Sequence, residues 1–192
     1  MFNILPYDGE ANYYGPIFPP LKRKELEKIL LETVPWENDR IFIYGREIIT
    51  KRKIAWLGSE PFDYRYSKNT KKALPFSPVV EEIKSYIEEL TQESFNSCLL
   101  NLYHSGDESM GWHRDNEPEL KKQGAIASLS FGANRVFQFK HIETKEKIEI
   151  ELESGSMLMM KGVIQDHWYH QLPKRLKVQE SRINLTFRTI IQ

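Results

Sequence analysis

The chain of 192 residues has one cysteine, Cys98, so no disulfide can form within it. A lone thiol is more typical of a protein from a reducing compartment than of a secreted domain. No apolar run approaches the roughly 18 residues that a membrane-spanning helix requires. The first residues, MFNILPYDGE, lack the basic start and apolar stretch of a secretory signal. We therefore expect an intracellular protein with no membrane partner, cytoplasmic in a bacterium and nuclear if the host is eukaryotic.

Net charge is absent as well, because 27 basic side chains balance 27 acidic ones. The total therefore gives no sign of a nucleic-acid partner, but the distribution is uneven. Residues 51–72 carry seven basic and two acidic side chains, a local net of +5, whereas residues 142–153 carry five acidic and two basic ones, a local net of −3. The pattern fits either two solvated faces or a protein with a phosphate-facing side and an acidic far side.

Internal repeats, low-complexity tracts and Gly/Ser linkers are also lacking, so we expect residues 1–192 to form one domain. Hydrophobic residues make up 40% of the chain, enough for a single core. Two segments, 21–34 and 77–94, have the apolar spacing of helices that bury one face. The second opens with Ser77 as a cap and Pro78 at the first helical position. The predicted buried stripes are Leu26, Ile29, Leu30 and Val34 in the first helix, and Val79, Val80, Ile83, Ile87 and Leu90 in the second.

Short strands account for most of the remaining pattern. Residues 40–50, RIFIYGREIIT, read as a hairpin that turns near Gly45. After residue 95, apolar or alternating runs are separated by Gly, Asn and Asp, which is typical of a β-sandwich or barrel. We therefore predict an α+β, mainly β fold in which the two helices pack against one sheet from outside. The predicted strands are NSCLLNLYH, GAIASLSFG, RVFQFKHI, KIEIELESG, SMLMMKG, DHWYHQL and SRINLTFRTII.

Two of these strands have one polar and one apolar face. Side chains alternate between the faces of a sheet, so the polar face of SRINLTFRTI contains two guanidinium groups and an amide. Arginine is suited to bidentate binding of carboxylate or phosphate, and CLLNLYH offers Asn101 and Tyr103 on one face. The pattern fits a barrel whose interior holds a polar ligand, or a strand that faces water. The polar set of the last strand is Arg182, Asn184, Thr186 and Arg188, and its apolar set is Ile183, Leu185 and Phe187.

The segment GWHRDNEPEL offers a candidate metal site. On an extended segment His113 and Asp115 share a face, and Arg114 points away. A His and a carboxylate at this spacing, with a distant second His, form the facial triad that binds non-haem Fe(II). The second His must come from DHWYH, where alternation does not decide between His167 and His170. The same residues also fit a surface His beside a capping Asp, or the zinc site of a hydrolase.

Five segments together resemble the AlkB-type 2-oxoglutarate/Fe(II) dioxygenases, and most closely the branch that includes the mammalian nuclear DNA-repair enzymes. They occur in family order, at family-like spacing, within residues 40–190. The resemblance implies a double-stranded β-helix (jelly-roll) catalytic core over residues 95–192 and a nucleotide-recognition lid over residues 40–75. The segments are NLYHSGDESMGWHRDNEPEL, IASLSFGANRVFQFK, GSMLMMKG, HWYHQLPK and RINLTFRT.

The resemblance also assigns the metal and co-substrate residues. It implies that His113, Asp115 and His170 bind Fe(II), which selects His170 over His167. It further implies that the first arginine of RINLTFR pairs with the distal carboxylate of 2-oxoglutarate, and that the second arginine lies near the end that chelates iron. The residues implied to hold 2-oxoglutarate are Asn101, Tyr103, Arg182, Asn184 and Arg188.

The lid resembles the family in two segments. KRKIAWLGSEPFDYRYS is similar to the base-recognition segment, with Tyr66 at the position of an aromatic residue that stacks on the damaged base and Tyr64 beside it on the same face. IFIYGRE is similar to an element that wedges into duplex DNA. Tyr44 stands there where the matched duplex-acting enzymes have phenylalanine, and an aromatic ring of either kind can stack.

The activity implied by the resemblance is oxidative demethylation of N1-methyladenine and N3-methylcytosine, with Fe(II), 2-oxoglutarate and O2, in the repair of alkylated DNA. Both bases are cationic, and Glu117, which matches an acidic residue facing the flipped base, would favour them. The basic residues of 51–72, Arg52 among them, are expected to hold the phosphates of single- or double-stranded DNA, or of RNA. We expect a monomer.

Two further functions are compatible with the same residues. One is an oxygenase that acts on methylated RNA, on protein or on a small molecule. The other is a jelly roll that reads modified bases without turnover, against which the complete set of predicted ligands and arginines argues.

Overall fold

The structure, a computed structural model, describes residues 2–43, 46–61, 63–66 and 69–191, without the side chains of 41–43, 63–66 and 69–71. In these ranges the chain forms two main β-sheets, a two-stranded ribbon and three helices. None of the described helices is both long enough and apolar enough to cross a membrane. The helices are α1 (Pro20–Thr33), α2 (Pro78–Thr91) and α3 (Ile164–His167). The strands are β1 (Phe2–Asn3), β2 (Glu10–Pro16), β3 (Glu37–Ile43), β4 (Arg46–Gly58), β5 (Asp63–Tyr66), β6 (Asn69–Lys72), β7 (Leu74–Pro75), β8 (Ser97–Tyr103), β9 (Met110–His113), β10 (Ile126–Gly132), β11 (Arg135–His141), β12 (Lys147–Leu152), β13 (Ser156–Lys161), β14 (Trp168–Leu172) and β15 (Arg182–Arg188).

The larger sheet has the strand order β1-β2-β13-β10-β15-β8-β4-β3, and β7 pairs with β4. The smaller sheet has the order β12-β11-β14-β9, and β5 pairs with β6 alone. Strand β15 lies near the middle of the larger sheet, where Asn184 is opposite Ser130 of β10 and Asn101 of β8. Strand β14 occupies the middle of the smaller sheet, between β11 and β9. The arginine-bearing strand and the strand of the third predicted metal ligand are therefore both internal strands.

Both predicted helices are present, and they cover one face of the larger sheet. Helix α2 begins at Pro78 after Ser77, as predicted, although the Ser77 side chain makes no capping hydrogen bond. The buried residues of both helices pack in one cluster with the apolar faces of β8 and β15. Leu90 is an exception to the predicted stripe: it lies in the last turn of α2, beyond that cluster, and is 44% exposed.

A second apolar cluster fills the space between the two sheets. Phe139 and Trp168 contribute to it from the smaller sheet, and Ile126 and Leu158 contribute from the larger one. Each of these side chains is almost completely buried, which stabilises the sandwich by about 1.5–3 kcal/mol per side chain. The expected mainly β fold, with helices outside one sheet, is confirmed.

All seven strands predicted after residue 95 are present, and the structure also contains strands that were not predicted, β5, β6, β7 and β9 among them. Strands β1 and β2 were not predicted, because EANYYGP alternates too weakly to be recognised; β2 extends the larger sheet by pairing with β13. The predicted strand DHWYHQL starts two residues late, at Trp168, because Ile164–His167 form the short helix α3. The hairpin of β3 and β4 is present, and its predicted turn near Gly45 lies outside the described residues.

Candidate active site

The two histidines predicted to bind a metal are opposite each other in the smaller sheet. Strand β9 ends at His113, and the antiparallel register pairs this residue directly with His170 of β14. Asp115 follows β9 by two residues, and its Oδ1 lies 3.9 Å from Nε2 of His113 and 4.0 Å from Nε2 of His170. These separations are too long for hydrogen bonds, but two atoms that each bind one ion at about 2.1 Å lie at most about 4.2 Å apart. The three side chains therefore have the spacing of ligands around one ion.

Both imidazoles are suited to metal ligation. Nδ1 of His113 donates to the carbonyl oxygen of Gly111 at 2.8 Å, and this hydrogen bond leaves the lone pair of the neutral ring on Nε2. His170 is buried, and burial is the largest cause that lowers the pKa of His170 to about 3. Its ring is therefore neutral at physiological pH, the form that binds a metal.

Asp115 is held from two directions. Nη2 of Arg188 donates to its Oδ2 at 2.8 Å, and its backbone N–H donates to Oε1 of Gln165 at 3.0 Å. Burial by itself would raise the pKa of Asp115, but the guanidinium of Arg188 lowers it below its ordinary value. The carboxyl is consequently ionised, and Oδ1 faces the histidines. Two imidazoles and one carboxylate form the donor set of a facial Fe(II) site.

Arg182 is a buried cation that has no acidic partner among the described residues. Its Nη2 donates to Oγ of Ser130 at 2.9 Å and to Oδ1 of Asn184 at 2.7 Å, both neutral acceptors. Its Nε is buried without a hydrogen-bond partner in the same part of the chain, and burial lowers the pKa of Arg182 to about 10. Buried charges in proteins are normally paired. The guanidinium therefore matches a ligand that carries a carboxylate, such as a dicarboxylic oxoacid.

The other residues predicted to hold 2-oxoglutarate line the same pocket, a space of about 50 Å³ between the two sheets. Oδ1 of Asn184 accepts the hydrogen bond from Arg182, and its Nδ2 donates to Oγ1 of Thr186 at 3.1 Å, so Asn184 orients the arginine. Oδ1 of Asn101 is buried, and no described residue donates to it. The guanidinium of Arg182 lies 5.6 Å from the ring centre of Tyr103. Arg182 and an unused acceptor thus line a pocket that also contains both histidines and Arg188.

A second cavity, of about 160 Å³, adjoins the metal ligands, and Arg52 is part of its wall. The Arg52 side chain is buried, forms an ion pair with Asp39, and places Nη1 3.3 Å from Sδ of Met110. This differs from the expectation that Arg52 holds DNA phosphates, because a buried, paired guanidinium does not reach a strand on the surface. The cavity is also lined by Trp56, Leu99, His113 and Glu117.

The aromatic residues predicted for the lid fall largely outside the described part of the chain. Tyr44 is one of the residues that the structure does not describe. Tyr64 and Tyr66 belong to β5, which pairs with β6, but their side chains lie outside the description. Glu117, by contrast, is described, and it lines the cavity beside His113.

A second group of possible metal ligands, Asp8, His141 and His167, lies at the end of β11, where His141 is the last residue. The backbone N–H of Thr144 donates to Nδ1 of His141 at 3.1 Å, so the hydrogen of the neutral ring is on Nε2. That Nε2 donates to Asp8 at 3.2 Å. His141 therefore has no lone pair directed at a metal there, and the group ties the N-terminal segment to the turn after β11.

Three residues of the site were missed in the sequence. Asp39 reads as an exposed acid on a hairpin strand, and nothing local indicates its burial. Gln165 gives no signal, because its contact with Asp115 depends on the unpredicted helix α3. Ser130 had a usable signal: in IASLSFG the two serines alternate with Ala127, Leu129 and Phe131, which places the serines on the pocket face.

The fold and the converging ligands define a jelly-roll metalloenzyme site with a carboxylate-binding arginine. Residues 11–188 match the 2OG-Fe(II) oxygenase superfamily. The human "Alpha-ketoglutarate-dependent dioxygenase alkB homolog 3" is 41% identical over 174 residues, 84% of this chain and 59% of the relative. The human "DNA oxidative demethylase ALKBH2" is 39% identical over 160 residues, 79% of this chain and 61% of the relative. The chain therefore belongs to the 2OG-Fe(II) oxygenase superfamily, as an AlkB-type member.

A solved structure described as "The structure of OsALKBH1" is similar to this one in fold. Its TM-score is 0.61, with 19% sequence identity over 93% of this chain and 97% of the other. The expected AlkB-type family and its jelly-roll fold are confirmed, and Fe(II) and 2-oxoglutarate are the metal and co-substrate for which the superfamily is named. The chain spans about 60% of the length of the two human relatives.

Proposed function

We propose that this protein is an Fe(II)- and 2-oxoglutarate-dependent oxygenase that demethylates N-alkylated bases in DNA, with N1-methyladenine and N3-methylcytosine as substrates, in alkylation-damage repair. The proposal depends above all on one observation: the His-Asp-His group shares a pocket with the buried guanidinium of Arg182. A hydrolytic zinc site would have no use for that guanidinium, and a site for an oxoacid alone would have no use for three converging ligands. The names of the relatives, a dioxygenase and a DNA oxidative demethylase, support the reaction and the substrate.

The metal-binding roles follow from the protonation of each side chain. His113 and His170 offer imidazole lone pairs, and Asp115 offers Oδ1. Arg188 holds the other oxygen of Asp115 at 2.8 Å and so keeps the carboxylate in a fixed orientation. Gln165 fixes the backbone of the same turn through the Asp115 N–H.

The co-substrate roles follow from the polar face of β15. Arg182 pairs with the distal carboxylate of 2-oxoglutarate, and Asn184 keeps the guanidinium in place. Tyr103 and Asn101 of β8 line the same pocket from the neighbouring strand. Arg188 lies at the other end of β15, beside the metal ligands, where the oxoacid end of the co-substrate would chelate the ion.

Fe(II), 2-oxoglutarate and O2 together supply the oxidant that hydroxylates an N-methyl group, with succinate and CO2 as co-products. The protein contributes position: the cavity beside His113 holds the base with its methyl group towards the metal ligands. The hydroxymethylated nitrogen then releases formaldehyde, which leaves the unmodified base.

A base inside a duplex cannot enter this cavity, so the target nucleotide must be flipped out or already unpaired. Flipping costs a few kcal/mol, and less for a base whose pairing edge carries a methyl group. We propose that Tyr66 and Tyr64 stack on the base, which returns about 1–3 kcal/mol per stacked base, and that Tyr44 wedges into the duplex. Glu117, in the cavity wall, favours the cationic bases, and Arg52 supports the same wall through its ion pair with Asp39.

A row of basic and aromatic side chains on the outer face of the smaller sheet supports a nucleic-acid substrate. The strand registers align Lys147 with Lys140 and Lys140 with Tyr169. The guanidinium of Arg114 lies 5.4 Å from the Tyr169 ring centre, and Nζ of Lys140 lies 4.5 Å from that of Trp112. Arg114 also lines the base cavity, so the row begins at the cavity and follows the surface. Cations interleaved with aromatic rings suit a single strand that passes over the site.

We further propose that residues 1–192 act as one domain, with a nucleotide-recognition lid over residues 40–75 and a catalytic core over residues 95–192. The protein acts as a monomer on methylated single- or double-stranded DNA. Methylated RNA is the alternative substrate, and its turnover is compared with that of DNA. It acts in the cytoplasm of a bacterium, or in the nucleus if the host is eukaryotic.

The test is turnover by the purified protein with Fe(II), ascorbate, 2-oxoglutarate and air. Oligonucleotides that carry one N3-methylcytosine are supplied as single-stranded DNA, duplex DNA and RNA, and formaldehyde and succinate are measured. We expect equal amounts of both products with DNA, and none when 2-oxoglutarate is left out. Inactivity on all three nucleic acids would refute the proposal. Tight binding with no succinate formed would instead indicate a binding module.

A further inference from the structure

Asp39 lies at an irregularity in the hairpin that forms one side of the base cavity. In the pairing of β3 with β4, Asn38 is opposite Lys53 but Arg40 is opposite Ile49. Asp39 alone therefore lies opposite three residues of β4, 50–52. Bulges of this kind redirect side chains and occur next to active sites. Here the Asp39 side chain is completely buried, with 0% exposure, and it lines the cavity that contains His113.

Only one oxygen of the Asp39 carboxylate is used in the described structure. Oδ2 forms the ion pair with Nη2 of Arg52, whereas Oδ1 is buried and has no hydrogen-bond partner among the described residues. A buried carboxylate oxygen without a donor is costly and is rare in proteins. An acceptor of this kind, in the wall of a ligand cavity, fits a ligand that brings its own N–H donor.

The charged side chains of the cavity wall balance. Asp39, Asp115 and Glu117 contribute three carboxylates, and Arg52, Arg114 and Arg188 contribute three guanidinium groups. Because Arg52 and Arg188 each pair with a carboxylate of the wall, the choice of base depends on the hydrogen-bonding groups that face it. In N1-methyladenine and N3-methylcytosine, the methylated ring nitrogen is adjacent to a carbon that carries an amino group. In N1-methylguanine and in N3-methylated thymine or uracil, that carbon carries a carbonyl oxygen.

We propose that Asp39 is a specificity-determining residue, whose Oδ1 accepts a hydrogen bond from the exocyclic amino group of the methylated base. A base that carries a carbonyl at that position would place its oxygen, an acceptor, next to Oδ1 of Asp39, which is also an acceptor. Both atoms would be buried without a donor, so the base would be rejected. This inference is based on the proposed function, since it names the residue that selects the base within the same site. Arg52 acts through Asp39: its guanidinium, which only donates, occupies Oδ2 and leaves Oδ1 for the base.

The decisive variant is Asp39→Asn, which preserves the shape of the side chain. Because the guanidinium of Arg52 only donates, the amide oxygen of the variant must turn towards it, and the amide N–H₂ then faces the cavity. The amide N–H₂ can donate to the carbonyl of N3-methyluracil, whereas next to the amino group of N3-methylcytosine it would place one donor beside another. The preference between N3-methylcytosine and N3-methyluracil should therefore weaken or reverse, a result that a purely structural role for Asp39 would not produce.

The measurement compares two single-stranded DNA oligonucleotides of one sequence that differ only in carrying N3-methylcytosine or N3-methyluracil. Dissociation constants are measured by fluorescence anisotropy with Mn(II) in place of Fe(II), and kcat/KM is measured with Fe(II). We expect the parent protein to favour N3-methylcytosine, and Asp39→Asn to lower the ratio of the two affinities at least tenfold. The control, Glu47→Gln, makes the same chemical change on β4 at a surface residue paired with Arg40, and should leave the ratio unchanged.

Two results would overturn the proposal: a parent protein that does not distinguish the two oligonucleotides, or an Asp39→Asn variant that keeps the parent ratio while its thermal unfolding shows a native fold. If Asp39→Asn does not fold, Asp39→Ser is tested by the same ratio and must lower it too, because a hydroxyl can donate to a carbonyl as well as accept from an amino group. The binding measurement needs no turnover. A protein that binds with the expected preference but releases no formaldehyde would refute the proposed reaction and still support the role of Asp39.

Discussion

Arg188 donates a 2.8 Å hydrogen bond to Oδ2 of Asp115, a residue 73 positions earlier in the chain. The contact joins the end of β15, in the larger sheet, to the turn after β9, in the smaller one. Oδ1 of Asp115 consequently faces His113 and His170. The orientation of the candidate metal-binding carboxylate is thus determined by an arginine from the opposite sheet.

Asp115→Ala should abolish turnover and lower the free energy of unfolding by about 3–5 kcal/mol, because Arg188 then loses the carboxylate of a buried ion pair. His113→Ala should abolish turnover at a smaller cost in stability, since the His113 side chain is 34% exposed. Titration with Mn(II) measures metal binding and urea unfolding measures stability. Full activity in either variant would discredit the ligand assignment.

Arg182→Met should separate stability from co-substrate binding. The affinity for 2-oxoglutarate should fall by at least about 30-fold, close to 2 kcal/mol, because the carboxylate loses its buried partner. The free energy of unfolding without ligands should stay the same or rise by about 1–4 kcal/mol, because an apolar side chain replaces a buried charge. Calorimetric titration with 2-oxoglutarate and urea unfolding measure the two quantities.

The matched control for that experiment is Arg135→Met. Arg135 is also buried, but its guanidinium donates to the backbone carbonyls of Ser105, Glu108 and Pro173. This variant should lose stability, while the folded fraction keeps its affinity for 2-oxoglutarate. Equal losses of affinity in both variants would mean that Arg182 has only a structural role.

Gln165→Ala tests whether the turn that carries Asp115 must be fixed. The variant removes one hydrogen bond to the Asp115 N–H, which contributes about 1 kcal/mol, so Mn(II) binding should weaken roughly fivefold. Gln171→Ala is the comparison, because that glutamine contacts Gln138 on the outer face of the same sheet. Metal affinity that is identical in the two variants would exclude the positioning role of Gln165.

The sequence allowed the prediction of β15 because its two faces differ in chemistry at every residue. Arg182 and Asn184 lie in the pocket, and Ile183, Leu185 and Phe187 lie in the core, as alternation indicates. The choice between His167 and His170 was open, because both belong to one short segment. In the structure His167 ends α3, while His170 is paired with His113, and only the strand register contains that information.

The residues that were not predictable acquire their roles from tertiary contacts. Arg52 belongs to a basic run that reads as surface, but its partner Asp39 buries it. The pairing depends on the irregular register of β3 and β4, which no local pattern of the hairpin sequence indicates. Composition and alternation predict which faces are polar, whereas the position of one acid in a cavity wall depends on how strands from distant parts of the chain meet.

Lys140→Gln should weaken the binding of single-stranded DNA about threefold, because one phosphate contact near the cavity is lost. The slope of log Kd against log salt should fall by about 1 in the same variant. Lys28→Gln serves as the control, since Lys28 is 74% exposed on α1, which packs on the other sheet. Anisotropy titrations at several salt concentrations measure both quantities. Identical slopes in the parent and in Lys140→Gln would place the strand elsewhere on the surface.

Strand β15 is paired on both sides, with β10 over residues 182–187 and with β8 over residues 182–188. Its apolar face lies in the core and its polar face lines the pocket, so a substitution there affects one or the other. None of the described strands within residues 40–75 pairs with β15. The nearest of them, β4, pairs with β8, the neighbour of β15. Changes in the strands of residues 40–75 can therefore reshape the cavity wall while the pairing that holds the polar face of β15 stays the same.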